Sequence, residues 1–389
     1  MCDCGGLAGT DQWHEVPKGS FRRRRHPRLD LQVHTTRRKH RGGQEDGHGQ
    51  SPERGQIRNL LDKVVIYLKP KTGLVPPRLR IAINGTEVFD GVIDQPKSIR
   101  HETESQDRLN IMIHKTGKTK DVVDSKEPQE VLVDEVLLNG LSQHPDKFGV
   151  FNQKNNSYVK DQTIEGNEMA LNGSWSLNVP IFRQEFVPEL DRTQRDQFED
   201  TKIACFGCSF TYGALLDDNQ TWPYHLGDAK NYGVGGNSIS AIVGTAHWYV
   251  QNFKCDRLVM LLPHVCRLQL HDQHKGSWTF IPFKSDKIDG EAKEMVKDIV
   301  MFGEPSLLFS GYVTRMKELL VEINQKTNLY ITSYQLDTYD MLDKTMGDVC
   351  KILPFYELSD EFEMASDNAH PGPEHNRIFA NQITPIIGG

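Results

Sequence analysis

The chain has 389 residues, of which 25% are charged and 37% are hydrophobic, and its formal net charge is −7. This length allows two domains of ordinary size, and the acidic balance gives no bulk attraction to nucleic acid or membranes. The sequence contains no apolar run long enough to span a bilayer and no signal-peptide hydrophobic region at its start, so we expect a soluble protein.

A basic segment occupies residues 1–57, with arginine or lysine at 22–25, 28 and 37–39. It has too few apolar residues to offset the entropy cost of ordering, so we expect it to be disordered in isolation. Such an arm could bind an assembly partner, or dock on its own acidic protein. A solvated tail and translation from an upstream start are equally compatible with the pattern, and binding to nucleic acid is the less favoured use.

Short strands are predicted between residues 58 and 188. Alternating or short apolar runs occur at 63–68, 78–83, 87–89, 109–114 and 129–133, and Asn84-Gly85, Asp90-Gly91 and Asn139-Gly140 are turn pairs. This pattern predicts an all-β sandwich. A polar segment, 151–172, then leads to residues 175–182, which either close the sandwich or pack between domains.

Three acidic residues of this region are candidate calcium ligands. Asp121, Asp124 and Asp134 could supply carboxylate oxygens, although acids in loops and at strand ends are usually only solvated. The charged stretch 189–200 is predicted to be the linker between two domains.

Strands alternate with helices in residues 201–389. Apolar strands are predicted at 203–206, 257–262 and 328–334, and helices at 221–226, 239–253 and 307–323. The alternation favours a three-layer α/β/α domain with a mostly parallel sheet, in which Trp222 is a core residue. Residues 269–303 lack a clean period, so we expect an insertion there, over the functional site.

A serine and an Asp-x-x-His motif stand near opposite ends of this region. Ser209 follows the strand 203–206 and Gly207, at a turn where open α/β sheets place ligands. Asp367 and His370 are three residues apart, which lets one short loop present a carboxylate and an imidazole together. A nucleophilic serine needs a base, and that base needs an orienting group. The pattern predicts a Ser-His-Asp triad.

These blocks resemble those of the SGNH or GDSL-type hydrolases, over residues 198–389. That family carries a Gly-x-Ser block near the start of its domain and an Asp-x-x-His block near its end, and residues 231–238 are similar to its glycine block. The resemblance implies a flavodoxin-like fold and an acyl-enzyme mechanism that needs no metal or organic cofactor. It also implies an oxyanion hole made by the backbone amides of Ser209 and Gly236.

Two positions depart from the family pattern. Cys266 stands where the family has an asparagine that donates to the oxyanion, and Cys208 stands where it has an aspartate. A thiol donates hydrogen bonds poorly, and the loss of one oxyanion donor costs about 100-fold to 1000-fold in turnover. His264 or Arg267 could take that place, and we expect substrate contacts from Asn237, His264 and Arg267.

Seven cysteines are scattered along the chain, an odd number without the dense spacing of a disulfide scaffold. A reducing compartment is the simpler interpretation. Cys205 and Cys208 could form a redox or zinc pair that His264 and Cys266 complete. However, Cys205 falls within an apolar strand and Cys208 belongs to the serine turn, so we predict no metal site.

Residues 84–91, 114–120 and 133–140 resemble turns of carbohydrate-binding accessory sandwiches, including those of phage and viral surface proteins. The resemblance implies a glycan-binding module, and a purely structural module is the alternative.

The two resemblances together imply a serine esterase that removes acetyl or other short acyl groups, with an acylated carbohydrate as the expected substrate. The alternative is a non-catalytic glycan-binding protein, or a virion or tail structural protein, with a degenerate SGNH fold. The protein would be cytoplasmic or associated with a virion, and no membrane partner is expected.

Overall fold

The computed structural model describes residues 61–388 except 74, 105, 125, 154–161, 183, 185, 189, 191–197, 272–277 and 282–303. The predictions for the basic arm at 1–57, for most of the linker at 189–200 and for most of the insertion at 269–303 lie outside the described residues. The described residues all belong to one compact unit, residues 56–389.

Two antiparallel sheets form the predicted sandwich. Their strands are β1 (Leu61–Thr72), β2 (Arg78–Ile83), β3 (Thr86–Val92), β4 (Lys97–Glu104), β5 (Arg108–Thr116), β6 (Gln129–Leu138), β7 (Leu141–Ser142), β8 (Gly149–Gln153), β9 (Gln162–Glu165), β10 (Glu168–Met169) and β11 (Gly173–Pro180). One sheet has the order β10-β6-β1-β4 with β7 beside β6, and the other has the order β3-β2-β5-β11-β8-β9. Two short helices, α1 (Lys120–Asp124) and α2 (Pro145–Phe148), lie in the connections.

Alternation along the strands builds the core of the sandwich. In β1, Val64, Ile66 and Leu68 are buried while their neighbours are more exposed, as expected when side chains point alternately to the two faces. Residues 175–182 close the sandwich, because β11 pairs with both β5 and β8. Trp175 is fully buried there, and its indole N–H donates to the Gly166 carbonyl at 2.8 Å.

No strand was predicted in the polar segment 151–172, yet it holds β9, β10 and most of β8. Strand β9 lies at the edge of its sheet, and all four of its residues are exposed. An edge strand without a buried face carries no apolar alternation, so its sequence resembles a loop.

A five-stranded parallel sheet follows, with β12 (Thr201–Gly207), β13 (Ala229–Asn231), β14 (Cys255–Leu262), β17 (Asn328–Ser333) and β18 (Lys351–Ile352). Its order is β13-β12-β14-β17-β18. Numbered within this sheet the order is 2-1-3-4-5, which is the flavodoxin-like, doubly wound arrangement. The ends of β12 and β14 are continuously buried, so both faces of the sheet are covered. A hairpin of β15 (Leu268–His271) and β16 (Trp278–Ile281) follows β14.

The helices of this part are α3 (Ser209–Tyr212), α4 (Trp222–His225), α5 (Ile239–Asn252), α6 (Pro305–Ser310), α7 (Val313–Asn324), α8 (Leu336–Met346) and α9 (Pro373–Ile387). Helix α5 packs against α7, and α4 packs against α9. Trp222 is fully buried, as predicted.

The single helix predicted at 307–323 is two helices, α6 and α7, separated at Gly311 and Tyr312. A Cβ at Gly311 would lie 2.1 Å from the carbonyl oxygen of Phe182. The chain therefore bends where it passes close to another backbone, a contact that apolar periodicity does not reveal.

The two-domain arrangement is not confirmed, because the sandwich and the α/β layers exchange core residues. Leu141 of the sandwich packs in the core of the α/β layers, and Leu307 of α6 packs in the core of the sandwich. The Asn139 amide donates to the Ser310 carbonyl at 3.0 Å, and His144 hydrogen bonds to Ser306 at 2.9 Å. Helix α6 thus joins the two parts.

The three candidate calcium ligands lie in different settings. Asp121 and Asp124 are on α1, and Asp134 forms an ion pair with Lys69 at 2.9 Å. Within the described ranges, no group of three or more His, Cys, Asp or Glu residues is placed to hold a metal ion. The helices described here also include none that is long and apolar enough to cross a membrane.

Candidate active site

Ser209 is the first residue of α3, at the turn that follows β12. Cys208 is extended at φ −91° and ψ −152°, and Gly213 ends α3 at φ +73°. A Cβ at Gly207 would lie 2.0 Å from the Thr211 hydroxyl oxygen, and one at Gly233 would lie 2.3 Å from the Tyr212 nitrogen. Glycine at both positions therefore lets the chain turn sharply from strand to helix with backbones in close contact.

This turn lies at the switch point of the sheet. From β12 the chain adds β13 on one side of the sheet and then β14, β17 and β18 on the other, so the switch point lies between β12 and β14. These two strands are neighbours, with Gly207 opposite Leu261. Ligands of open α/β sheets bind outside the carboxyl ends of the strands at such a point. Ser209 follows β12 there, and His264 follows β14.

Asp367 and His370 form a pair within one tight loop. The Asp367 Oδ2 lies 2.5 Å from the His370 Nδ1, while Oδ1 accepts the amide N–H groups of Ala369 and His370 at 3.0 and 3.1 Å. Two hydrogen bonds lower the pKa of Asp367 to about 2, the stronger effect coming from the Ala369 amide and the next from the His370 ring. The loop is closed by the Ala365 amide, which donates to the His370 carbonyl at 2.9 Å. The carboxylate is therefore ionised and oriented towards the ring.

The His370 ring lies beside the residue that follows Ser209. Its centroid is 5.7 Å from that of Phe210 in an edge-to-face contact, and Phe210 stacks on Tyr334 at 3.8 Å. In the described part of the chain, the hydrogen bonds of His370 go to Asp367 and Ala365, and none reaches the Ser209 hydroxyl.

The glycine block runs from β13 along the carboxyl end of β12. The Asn231 amide group donates to the Thr211 carbonyl at 2.9 Å, and the Val234 N–H donates to the Gly207 carbonyl at 3.0 Å. Gly236 has φ +79°, and a Cβ there would meet no atom within 4 Å. The space beside its Cα is therefore open. Asn237, predicted to contact substrate, is buried at 3% exposure.

The segment after β14 contains the other predicted substrate residues. Cys266 is partly buried, and burial raises the pKa of its thiol to about 12, so it is not a thiolate at neutral pH. Its backbone N–H donates to the His264 Nδ1 at 3.0 Å. The Arg267 N–H donates to the His264 carbonyl at 3.0 Å. These hydrogen bonds make residues 264–267 a compact turn.

The cysteines of the serine turn are buried. Cys205 lies in β12, and burial raises its pKa. The Cys208 thiol donates to the Tyr334 hydroxyl at 3.6 Å. The side chain of Cys208, which stands where the resembled family has an aspartate, therefore faces the interior.

Sequence reasoning missed Phe210 and Tyr334, which lie next to His370 and Cys208, and it missed Asn376 of α9. The Asn376 side chain accepts the backbone N–H of Trp222 at 3.1 Å and donates to the Gly372 carbonyl at 2.9 Å, so it ties α4 to the chain just after His370. The signal for Tyr334 was its position directly after β17, at the carboxyl edge of the sheet. For Asn376 the sequence holds no comparable signal.

A cavity of about 630 Å³ lies elsewhere, around the amino end of β12. Lys202, Tyr224 and Asp228 are among its lining residues, and Lys202 pairs with Asp228 at 2.6 Å. It does not include Ser209 or His370.

Comparison with solved structures found distant likenesses. An acetyl xylan esterase from the rumen bacterium Butyrivibrio proteoclasticus matches 84% of this chain and 88% of its own, at 11% identity and a TM-score of 0.33. A family two carbohydrate esterase from Clostridium thermocellum matches 84% of this chain and 90% of its own, at 10% identity and a TM-score of 0.29. A carbohydrate-binding module, vCBM60, in complex with galactobiose matches 30% of this chain and 99% of its own, at 16% identity and a TM-score of 0.23.

No protein-family model and no curated protein matches the sequence. The structural likenesses have TM-scores under 0.5, too low to support an activity or a ligand for this chain. They give no support to the expectation of a virion or tail component.

Proposed function

We propose that the chain is a serine esterase in which Ser209 is the nucleophile, His370 the general base and Asp367 the group that orients the base. The observation that supports this most is the ionised Asp367 held 2.5 Å from the His370 ring, which lies beside Phe210 at the switch point of the sheet. A carboxylate, an imidazole and a serine at one sheet edge are the groups that nucleophilic acyl transfer requires.

The proton transfers follow from the two ring nitrogens. Asp367 accepts the N–H of His370 Nδ1, which leaves Nε2 free to take the proton of the Ser209 hydroxyl as its oxygen attacks the ester carbonyl. The alcohol then leaves with that proton, and a water activated by the same ring releases the acyl group from the serine. The hydrogen bond between Ser209 and His370 forms in the substrate complex, since such contacts are often long in the free enzyme.

The oxyanion donors of this proposal are the backbone amides of Ser209 and Gly236. The Ser209 N–H is at the first position of α3, where an amide has no intrahelical acceptor. At the end of the glycine block, Gly236 has open space where a Cβ would lie, so a substrate can approach it closely. Acyl transfer of this kind uses side chains and amides alone, without a metal or an organic cofactor.

We propose further that the acyl group is short and is carried by a carbohydrate. The α/β layers share core contacts with the sandwich through α6, so a polymer held on the sandwich would lie on the same compact unit as Ser209. Acetylated xylan is the first polymeric substrate to test.

The decisive experiment compares hydrolysis of p-nitrophenyl acetate by the wild type, Ser209→Ala and Ser98→Ala. Ser98 is an exposed serine of β4, so its variant is a matched control for the loss of a hydroxyl. We expect Ser209→Ala to lower kcat by more than about 10³-fold and Ser98→Ala to leave it unchanged. A fluorophosphonate should label the wild type at Ser209. Equal background rates and no labelling would instead favour the non-catalytic binding protein.

A further inference from the structure

The serine turn and the turn after β14 follow neighbouring strands at the same edge of the sheet. Gly207 at the end of β12 is opposite Leu261 of β14, and neighbouring strands are about 4.8 Å apart. Tyr334 links the two turns, because its hydroxyl accepts the Cys208 thiol and the charge of Arg267 acts on its phenol. His264 and Ser209 therefore lie at the same crevice, at the switch point of the sheet.

A backbone hydrogen bond fixes which nitrogen of His264 carries hydrogen. The Cys266 N–H donates to the His264 Nδ1 at 3.0 Å, so Nδ1 must hold a lone pair. A neutral imidazole with a bare Nδ1 carries its hydrogen on Nε2. Protonation of the ring would put two N–H groups against each other and break this contact. The turn thus presents His264 as a neutral ring whose Nε2 is a donor.

The surroundings also favour the neutral ring. Burial lowers the pKa of His264, and the positive charge of Arg267 acts in the same direction, whereas the Asp337 carboxylate acts against them. The net direction is downward, so the neutral form dominates at pH 7. Among the residues that the structure describes, these two charged groups act on the ring, one on its own turn and one on α8.

We propose that His264 donates its Nε2–H to the carbonyl oxygen of the bound ester and acts as the third oxyanion donor, beside the amides of Ser209 and Gly236. The Cys266 side chain cannot do this well, because a thiol is a weak donor. A preorganised neutral donor stabilises the developing negative charge without the desolvation cost of a buried cation. This inference rests on the proposed esterase function.

The test compares His264→Leu with His264→Gln. Leucine keeps much of the side-chain volume and removes the donor, whereas glutamine retains both a donor and an acceptor. We expect His264→Leu to lower kcat for p-nitrophenyl acetate by about 100-fold to 1000-fold with little change in KM, because the bond is strongest in the transition state. His264→Gln should recover part of this loss. His264→Ala replaces His264→Leu if leucine impairs folding, as judged by thermal unfolding.

The outcomes separate this inference from the function on which it rests. A donorless variant with the kcat of the wild type, alongside an inactive Ser209→Ala, would show that His264 is no oxyanion donor while the esterase stands. A rise in KM alone would reduce His264 to a ground-state contact and would also overturn the proposal. Equal rates for Ser209→Ala and the wild type would overturn both the esterase and the role of His264.

Discussion

Gly233→Ala tests whether the close contact of two backbones positions the serine helix. The added Cβ would lie 2.3 Å from the Tyr212 nitrogen and 2.7 Å from the Thr211 carbonyl carbon, where ordinary contact begins at 3.4 Å. The overlap is therefore about 1 Å. The two nearest atoms belong to the backbone of α3 and the third is the Thr211 Cβ, so rotation of a side chain cannot relieve the overlap and the helix that begins with Ser209 must move.

The expected cost follows from this overlap. Overpacking of this kind destabilises a protein by about 1–3 kcal/mol, and each kcal/mol lowers the Tm by roughly 2–4 °C. A displacement of the nucleophile by about 1 Å should in addition lower kcat by about 100-fold. Thermal unfolding measures the first effect, and hydrolysis of p-nitrophenyl acetate the second.

Gly235→Ala is the matched control, since a Cβ at Gly235 meets no atom within 4 Å. Its Tm should stay within about 2 °C of the wild type, as for a surface substitution. If Gly233→Ala proved as stable as Gly235→Ala, the contact between the glycine block and α3 would not hold the serine helix in place, and the reasoning would be refuted.

Three further substitutions test other parts of the structure. Asp367→Asn should lower kcat by up to about 10⁴-fold, because it favours the wrong His370 tautomer. The pKa of Asp367 is about 2, so its favourable effect on stability is complete above its ordinary pKa and is lost only as pH falls towards 2. Because Asp367 does not titrate between pH 4 and 8, an acid limb of kcat in that range that vanished in this variant would contradict the assignment. Leu307→Ala should lower the free energy of unfolding of the whole unit by about 2–5 kcal/mol in one denaturant transition, whereas Val321→Ala, at a half-exposed position, should change it little. Two separate transitions would show that α6 does not join the two parts. Burial lowers the pKa of Lys115 to about 7, so between pH 7 and 10 the unfolded chain binds more protons than the folded protein. The free energy of unfolding of the wild type should therefore rise across that window, and Lys115→Met should remove the rise.

Local patterns in the sequence predicted much of the architecture. The alternation at 63–68 and the apolar run at 257–262 each became a strand, because a buried face must be apolar wherever the chain folds. The Asp-x-x-His spacing likewise predicted the pair of Asp367 and His370, since three residues are enough to close a tight loop. The roles proposed for Ser209, Gly236, Cys266 and Arg267 remain predictions.

The errors occurred where structure depends on distant contacts. Strand β9 has no apolar face, and its pairing with β8 depends on backbone hydrogen bonds that any sequence can make. The break at Gly311 follows from the approach of the Phe182 backbone, more than 100 residues earlier in the chain. Nothing in the sequence shows that Leu141 packs in the core of the α/β layers or that Leu307 packs in the core of the sandwich, because both contacts join distant parts of the chain.

By itself, the sequence determined most of the strands and helices, the serine turn and the acid–histidine loop, because each depends on residues within a few positions of one another. Only the tertiary structure decided that the sandwich and the α/β layers share their cores, that Phe210 and Tyr334 support the His370 ring, and that the turn after β14 fixes the His264 tautomer. These features depend on which surfaces meet when the chain packs, and residue type and spacing along the chain do not specify that.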